Sequence, residues 1–169
     1  HCYESGYFAG TSDTAFSPDA TMTRAMLAVV VHRMAGSPEP DDAVSLPFTD
    51  VAESAWYLDS VRWCYAEGIV AGTSDTTFSP NNSITREQAA VFLYRLAGAL
   101  GLDTTVSNPN AADGFGDASQ IGSYAKTAVF WAVERGIMGG HNNLLTPKSS
   151  ATRVQLAQML YSFDTVYAD

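Results

Sequence analysis

The apolar positions along the chain predict pairs of short helices separated by loops. Between about Ala55 and Glu67, apolar side chains recur every three or four residues, as they do on one face of a helix. These apolar positions are Leu58, Val61, Tyr65 and Ile69. Gly68 follows where a C-cap glycine is expected, and the stretch up to Pro80 is rich in turn-forming residues. This part of the chain therefore predicts a helix followed by a loop.

A second helix is predicted to begin at Thr85. The segment Thr85–Gln88 has the form of a capping box, in which the Thr and Gln side chains each bond to a backbone N–H of the first turn. Apolar side chains recur at helical spacing behind it, at Ala89, Phe92, Leu93 and Leu96. Neither helix can bury its apolar face alone, so several such units must pack together into an all-α bundle.

This helix–loop–helix pattern occurs three times along the chain. Residues 9–18 recur almost unchanged as residues 71–80, and a more divergent copy spans residues 139–147. Each copy is followed by a Thr-Arg pair: Thr23-Arg24, Thr85-Arg86 and Thr152-Arg153. Upstream of the loops, Phe48-Thr-Asp50 matches Phe115-Gly-Asp117, and Trp56 falls opposite Tyr124. The chain is therefore a protein of related repeats that share one core.

The repeats define the predicted domain organisation. Repeat 1 spans residues 1–36, repeat 2 spans 48–100 and repeat 3 spans 115–165. The segments between them, residues 37–47 and 101–114, are rich in Pro, Gly, Asp and Asn and are predicted to be surface linkers. Repeat 1 lacks the upstream half that the other two have, so we expect the N-terminus to be a fragment boundary. We also expect a separate piece, or another part of the parent protein, to fill the place of the missing helix.

The order of these features resembles the S-layer homology (SLH) repeat. Phe-x-Asp and an aromatic residue precede a helix that ends on Gly, and a loop with Gly and Asp leads to Phe-x-Pro and Thr-Arg. In repeat 2 the matching residues are Phe48, Asp50, Trp56, Gly68, Gly72, Asp75, Phe78, Pro80, Thr85 and Arg86. The resemblance covers nearly the whole chain.

The resemblance implies three repeats packed as a pseudo-threefold helical bundle in a secreted, non-catalytic module that anchors proteins to the bacterial cell wall. The implied partner is an anionic secondary cell-wall polysaccharide, often with ketal-linked pyruvate on N-acetylmannosamine, or else peptidoglycan; no cofactor is implied. Ligand grooves would lie between neighbouring repeats, around the Arg of each Thr-Arg pair.

The chain departs from the family pattern in three ways. Repeat 1 lacks Phe-x-Asp and the aromatic residue, so a groove built from those parts is expected to be incomplete. The family often has Glu two residues after that Arg, where this chain has Met26, Gln88 and Gln155. The loop of repeat 3 becomes His141-Asn-Asn-Leu-Leu145, without its acidic residue. We therefore expect the groove of Arg86 to be the best formed, ahead of those of Arg24 and Arg153.

Composition and charge narrow the function further. The chain of 169 residues is 46% apolar and 16% charged, which is typical of a globular protein. Its formal net charge of −9 makes nucleic acid and anionic lipid poor partners. The longest apolar run, from Met26 to Val31, is far too short to span a membrane. Cys2 and Cys64 occupy equivalent places, and two buried thiols are favoured over a disulfide.

The candidate glycan-binding residues follow from the chemistry of an anionic sugar. Only nine residues are basic, and three of them stand at equivalent places at predicted helix starts, where free N–H groups also favour an anion. The candidates are Arg86, Arg24, Arg153, Asp50, Asp117, Trp56, Gly72 and Thr85.

Several of these assignments have a structural alternative. Trp56 suits the core or a groove equally, whereas Trp63 and Trp131 suit the core better than a sugar. The Asp of Phe-x-Asp suits three alternative roles: accepting sugar hydroxyls, holding the arginine or capping the first helix. Asp13 and Asp75 are predicted to form turns.

Other functional classes remain as alternatives. The three histidines fall at non-equivalent places and no nucleophile motif or metal-ligand cluster appears, so catalysis by this segment is disfavoured. A calcium-binding or lattice-forming module is a further alternative, although the loops lack the dense Asp and Asn spacing of a calcium loop. A purely structural remnant is the third.

Overall fold

The structure, a computed structural model, describes residues 6–8 and 15–168 of the chain. The described residues form five α-helices and two single-turn 3₁₀ helices, with isolated β-bridges and no strand. The helices are α1 Arg24–Met34, α2 Leu58–Ala66, α3 Arg86–Ala99, α4 Lys126–Glu134 and α5 Arg153–Val166, and the 3₁₀ turns are Ala118–Gln120 and Ser123–Ala125. The predicted all-α class is confirmed.

The second helix of each repeat begins on the predicted threonine. Thr85 and Thr152 each form a complete capping box, with Gln88 and Gln155 as partners. Thr23 accepts a hydrogen bond from the backbone N–H of Met26 only, since a Met side chain cannot bond back. The local sequence therefore fixes where α1, α3 and α5 start.

The first helix of repeat 2 is shorter than its apolar pattern predicted. It begins at Leu58 rather than near Ala55, because Tyr57 at its N-cap provides no side-chain bond and the residues before it form turns. It ends as predicted, since Gly68 adopts a φ of +69° that only glycine adopts without strain. Gly136 has the same φ of +69° after α4.

Each first helix packs against the second helix of the preceding repeat. α2 lies on α1, where the thiol of Cys64 approaches the carbonyl oxygen of Ala28 at 3.6 Å. α4 lies on α3, where the rings of Tyr94 and Trp131 meet edge to face at 5.4 Å. Cys64 is a free, fully buried thiol, and its proposed counterpart Cys2 lies outside the described residues.

Three equivalent residues join the repeats at the centre of the bundle. The N–H of Ile84 donates to the carbonyl of Met22 at 2.9 Å, and the N–H of Met22 donates to that of Ala151 at 3.3 Å. The N–H of Ala151 closes the triangle by donating to the carbonyl of Ile84 at 2.8 Å. Within this triangle each repeat donates one backbone hydrogen bond and accepts one, as the predicted pseudo-threefold arrangement requires.

The two predicted linkers are held against the bundle at specific points. The carboxylate of Glu134 accepts the backbone N–H groups of Ser107 and Asn108 at 3.0 and 3.2 Å. In the first linker, the carbonyl of Pro38 lies 2.8 Å from Nε2 of the buried His32. The exact limits of repeats and linkers stay predictions.

Candidate functional site

The arginines of the three Thr-Arg pairs cross from one repeat to the loop of the next. Arg24 donates from Nε to the carbonyl of Phe78 at 2.8 Å and from Nη2 to that of Ala71 at 2.9 Å. Arg86 makes the equivalent bonds to Leu145 and Gly139 at 2.8 and 2.6 Å. Both side chains are buried, so these bonds replace water around the guanidinium.

Arg153 closes the ring by returning to repeat 1. Its Nε donates to the carbonyl of Phe16 at 2.8 Å, and its guanidinium lies 4.7 Å from the Phe16 ring centroid. Arg24 is placed in the same way over Phe78, at 4.8 Å. The equivalent residue beside Arg86 is Leu145, which has no π system, because of the divergent loop of repeat 3.

The expected free N–H groups at the helix starts are not available to an anion, and that part of the prediction is wrong. The N–H groups of Arg24 and Ala25 donate to the carbonyls of Asn82 and Pro80 at 2.9 and 3.1 Å. The first N–H groups of α3 and α5 donate to loop carbonyls of the next repeat in the same way. The helix starts join neighbouring repeats, and any positive charge offered to a ligand comes from side chains.

The Phe-x-Asp carboxylates hold the loops that receive the arginines. Asp50 accepts the backbone N–H groups of Phe78 and Ser79 at 2.8 and 2.7 Å. Asp117 accepts those of Leu145 and Thr146 at the same two distances. Of the alternatives left open by the sequence, holding the arginine fits best, although it acts through the loop. Asp117 makes no capping bond to the 3₁₀ turn that follows it.

A groove of about 310 Å³ lies beside Arg24 and draws on all three repeats. Arg24 comes from repeat 1, the loop and α3 come from repeat 2, and Tyr124 comes from repeat 3. The lining residues include Arg24, Gly72, Gln88, Val91, Arg95 and Tyr124. A Cβ on Gly72 would lie 2.2 Å from the carbonyl of Ser74, so this candidate residue is required by a close turn. We call this cavity the Arg24 groove.

A matching cavity of about 170 Å³, the Arg153 groove, lies beside the arginine of repeat 3. Its lining includes Arg153, Met26, Val29, Val30, Arg33 and Trp56. The α1 residues each stand 62 positions before their α3 counterparts, and Trp56 takes the place of Tyr124. Trp56 is 67% exposed, so the structure puts it in a groove rather than in the core. Trp63 and Trp131 are buried, as favoured.

Each of these two grooves contains a second arginine that the sequence reasoning missed. Arg95 donates to the carbonyl of Ile69 at 3.5 Å, and Arg33 makes the equivalent bond to that of Tyr7 at 3.3 Å. Both stand nine positions after the Arg of the Thr-Arg pair, a recurrence that alignment of the repeats reveals. Repeat 3 has Ser162 at this position.

Thr85 is the remaining candidate residue, and Asp75 and Asp13 are the predicted turn residues of the loops. Thr85 serves as the N-cap of α3 and bridges to Ser150, which is a structural role. Asp75 lies exposed in a loop of bends and turns, whereas Asp13 lies outside the described residues. The residues that the structure describes contain no group of three or more metal-ligating side chains.

The arrangement defines a repeat module whose cavities lie between repeats and carry paired arginines and an aromatic ring. A family model for the S-layer homology domain matches residues 2–26, 47–90 and 114–157, one segment in each repeat. The chain belongs to this family. It is therefore a non-catalytic anchoring module of the kind found in secreted, cell-surface proteins. No described helix is long and apolar enough to cross a membrane.

The curated relatives include both enzymes and surface proteins. The chain is 32% identical over 90% of its length to an amylopullulanase of Thermoanaerobacterium thermosulfurigenes. It is 29% identical over 95% of its length to the S-layer protein sap of Bacillus anthracis, and 29% identical over 56% to a cellulosome-anchoring protein of Acetivibrio thermocellus. It spans only 8%, 19% and 22% of these proteins respectively.

Proposed function

We propose that the chain anchors its parent protein by binding an anionic, pyruvylated secondary cell-wall polysaccharide in the Arg24 and Arg153 grooves. The observation that carries this proposal is the double occurrence of one constellation. In each groove a buried arginine, a second arginine and an exposed aromatic ring line a single cavity.

The distribution of charge supports an anionic ligand. The chain has a formal net charge of −9 and only nine basic residues, yet four of those nine line the two grooves. They are Arg24 and Arg95 in one groove, and Arg153 and Arg33 in the other. A guanidinium offers a carboxylate two parallel hydrogen bonds, and its partial burial strengthens the interaction. A ketal-linked pyruvate supplies one such carboxylate per sugar.

The aromatic rings suit the rest of a sugar. Tyr124 and Trp56 are 59% and 67% exposed, and each lines the groove that contains a second arginine. An exposed ring beside a cation binds the apolar face of a pyranose while the charge is paired elsewhere. Gly72 keeps the wall of the Arg24 groove thin. Asp50, Asp117 and Thr85 contribute by holding the loops and the helix start.

We expect the groove beside Arg86 to bind the ligand more weakly than the other two grooves. Arg86 is held by its loop as firmly as Arg24 is, but the position of the second arginine is occupied by Ser162 and the ring beside the guanidinium is replaced by Leu145. One charge fewer lowers the affinity for an anion. The ranking from sequence alone, which placed Arg86 first, did not take the second arginine into account.

Sedimentation with bacterial cell walls tests the proposal. Purified protein is mixed with native walls and with walls stripped of pyruvate ketals by mild acid. We expect binding to native walls, loss of binding on stripping, and a reduction of about tenfold in affinity for Arg95→Gln and Arg33→Gln combined. Arg62→Gln is the matched control, because Arg62 pairs with Asp42 away from both grooves.

The other outcomes identify the competing functions. Equal binding to native and stripped walls would make peptidoglycan the ligand and reject the pyruvylated glycan. If the particle size of the purified protein increased with protein concentration in the absence of any wall, a lattice-forming module would be supported instead. Full binding by the doubly substituted variant would reject the two grooves as the site.

A further inference from the structure

Glu87 is a buried carboxylate that has no counterpart in the other two repeats. It is 1% exposed and stands immediately after the Arg of its Thr-Arg pair. Oε2 accepts the backbone N–H of Gly122 at 2.9 Å, and Oε1 accepts from the hydroxyl of Tyr124 at 2.7 Å and from Nζ of Lys148 at 2.6 Å. Three donors from repeat 3 thus converge on one side chain of repeat 2.

These donors keep the carboxylate ionised. Burial by itself raises the pKa of Glu87, but the hydrogen bonds from Gly122, Lys148 and Tyr124 outweigh burial, and the net effect lowers the pKa below its ordinary value. Burial and the neighbouring Glu87 carboxylate raise the pKa of Tyr124. Tyr124 therefore remains a neutral hydroxyl donor bound to a negative charge, which is a strong form of hydrogen bond.

The bond fixes an exposed ring at the edge of the Arg24 groove. Tyr124 is 59% exposed, and its hydroxyl is bonded to the buried carboxylate of Glu87, so the hydroxyl end is a firm point of attachment for the ring. The ammonium of Lys148 lies 5.8 Å from the centre of the same ring. A Cβ on Gly122 would lie 2.7 Å from Cε1 of Tyr124, so the close approach of ring and backbone requires glycine there.

The Arg153 groove lacks this support. The position of Glu87 is occupied by Ala25 in repeat 1 and by Val154 in repeat 3. Trp56, the counterpart of Tyr124, has an edge-to-face contact with its neighbour Tyr57 at 5.3 Å. Its indole N–H can only donate, and the side chain of Ala25 offers it no acceptor. The two grooves therefore differ in how firmly their aromatic ring is held.

We propose that Glu87 is a positioning residue that holds Tyr124 along the Arg24 groove and makes this groove the preorganised, tighter one of the two. The proposal rests on the proposed function, since it assigns a role to Tyr124 in sugar binding. Glu87 itself touches no ligand. Fixing the ring before binding removes the cost of ordering it afterwards, so the benefit appears as affinity.

A double-mutant cycle on the whole chain tests this role. All variants carry Trp56→Ala, which weakens the Arg153 groove, so that the measured affinity reports the Arg24 groove. The probe is the methyl glycoside of N-acetylmannosamine that carries a pyruvate ketal. We expect Glu87→Gln and Tyr124→Phe each to lower its affinity by about tenfold, and the double variant to lose no more than either single one. Glutamine fills the same volume, and the unfolding midpoint of each variant is recorded as a control.

Additivity of the two losses would overturn the proposal, because it would mean that Glu87 acts independently of the Tyr124 hydroxyl. An unchanged affinity in Glu87→Gln would overturn it as well. A second measurement does not need a ligand: ¹³C relaxation of the Tyr124 ring, which we expect to show increased motion in Glu87→Gln. If the parent chain failed to bind the probe, the proposed glycan would be rejected. Independently of that result, unchanged motion of the Tyr124 ring in Glu87→Gln would refute the positioning role.

Discussion

The Nε–H of Arg24 donates to the carbonyl oxygen of Phe78, 54 residues further along the chain and in the next repeat. The same guanidinium lies over the Phe78 ring and lines the Arg24 groove. One side chain therefore has two roles, because it joins two repeats and presents charge to a cavity between them. Loss of binding on its removal would consequently be ambiguous, and stability must be measured alongside.

Arg24→Lys should destabilise the fold. Lysine cannot reproduce two directed bonds to separate carbonyls, so both acceptors lose a charged donor inside the protein. We expect a loss of about 2–4 kcal/mol in the free energy of unfolding, measured by urea denaturation. Lys126→Gln serves as the control, because Lys126 is exposed and should change stability by less than about 0.5 kcal/mol. Equal stability of Arg24→Lys and the parent would show that the buried bonds are unimportant.

Asp117→Asn should cost more stability than Asp50→Asn. Each carboxylate accepts two backbone N–H groups, and an amide oxygen with its attached NH₂ can accept only one of them. Asp117 is buried, whereas Asp50 is exposed to water that can take over the lost bond. We expect the free energy of unfolding to fall by about 2–3 kcal/mol in Asp117→Asn and by about 1 kcal/mol in Asp50→Asn. Thermal unfolding of the two variants side by side is the measurement, and the reverse order would contradict it.

Gly72→Ala should disturb the Arg24 groove and the fold together. The added methyl group would lie 2.2 and 2.5 Å from the carbonyl oxygens of Ser74 and Thr77, which are backbone atoms and cannot turn aside. We expect the free energy of unfolding to fall by about 2–4 kcal/mol in Gly72→Ala. Gly98→Ala is the matched control, because a Cβ there meets nothing within 4 Å and lies in α3, where alanine should stabilise by about 0.5–1 kcal/mol. Similar midpoints for the two variants would be inconsistent with the close turn.

Stability should depend on Glu87 at acid pH. Its pKa in the folded chain lies below the ordinary value, so the folded state binds fewer protons than the unfolded state in that range. The stabilisation is complete above about pH 4.5, the ordinary pKa of a glutamate, and falls as pH decreases towards the folded pKa. Urea unfolding of the parent and Glu87→Gln between pH 3 and pH 7 should give a difference that shrinks on acidification. A difference that is constant with pH would contradict the assignment.

Much of the fold could be predicted because its determinants are local. The capping boxes at Thr85 and Thr152 and the glycine at position 68 are short sequence signals, and the repetition shows that three similar units share one core. The start of α2 was predicted too early, because an apolar period does not reveal where a helix lacks a cap.

The site could be predicted only in part because its residues meet across repeats. Arg24 was identified from its repeated position, yet the loop that holds it and the Tyr124 ring that lines the same groove come from two other repeats. Arg95 recurs as Arg33 and could have been found by the same alignment. Glu87 could not, since it occurs in one repeat only and its partners are fixed by tertiary packing.

Calorimetric titration with a matched pair of sugars tests the central claim most directly. One is the pyruvylated methyl glycoside of N-acetylmannosamine, and the other is the same glycoside without the ketal. We expect the first to bind at two sites per chain, to lose about tenfold in affinity when Arg33→Gln and Arg95→Gln are combined, and to bind far more tightly than the second. Equal affinity for the two sugars, from a folded protein, would contradict the claim that paired arginines in two grooves bind the glycan through its carboxylate.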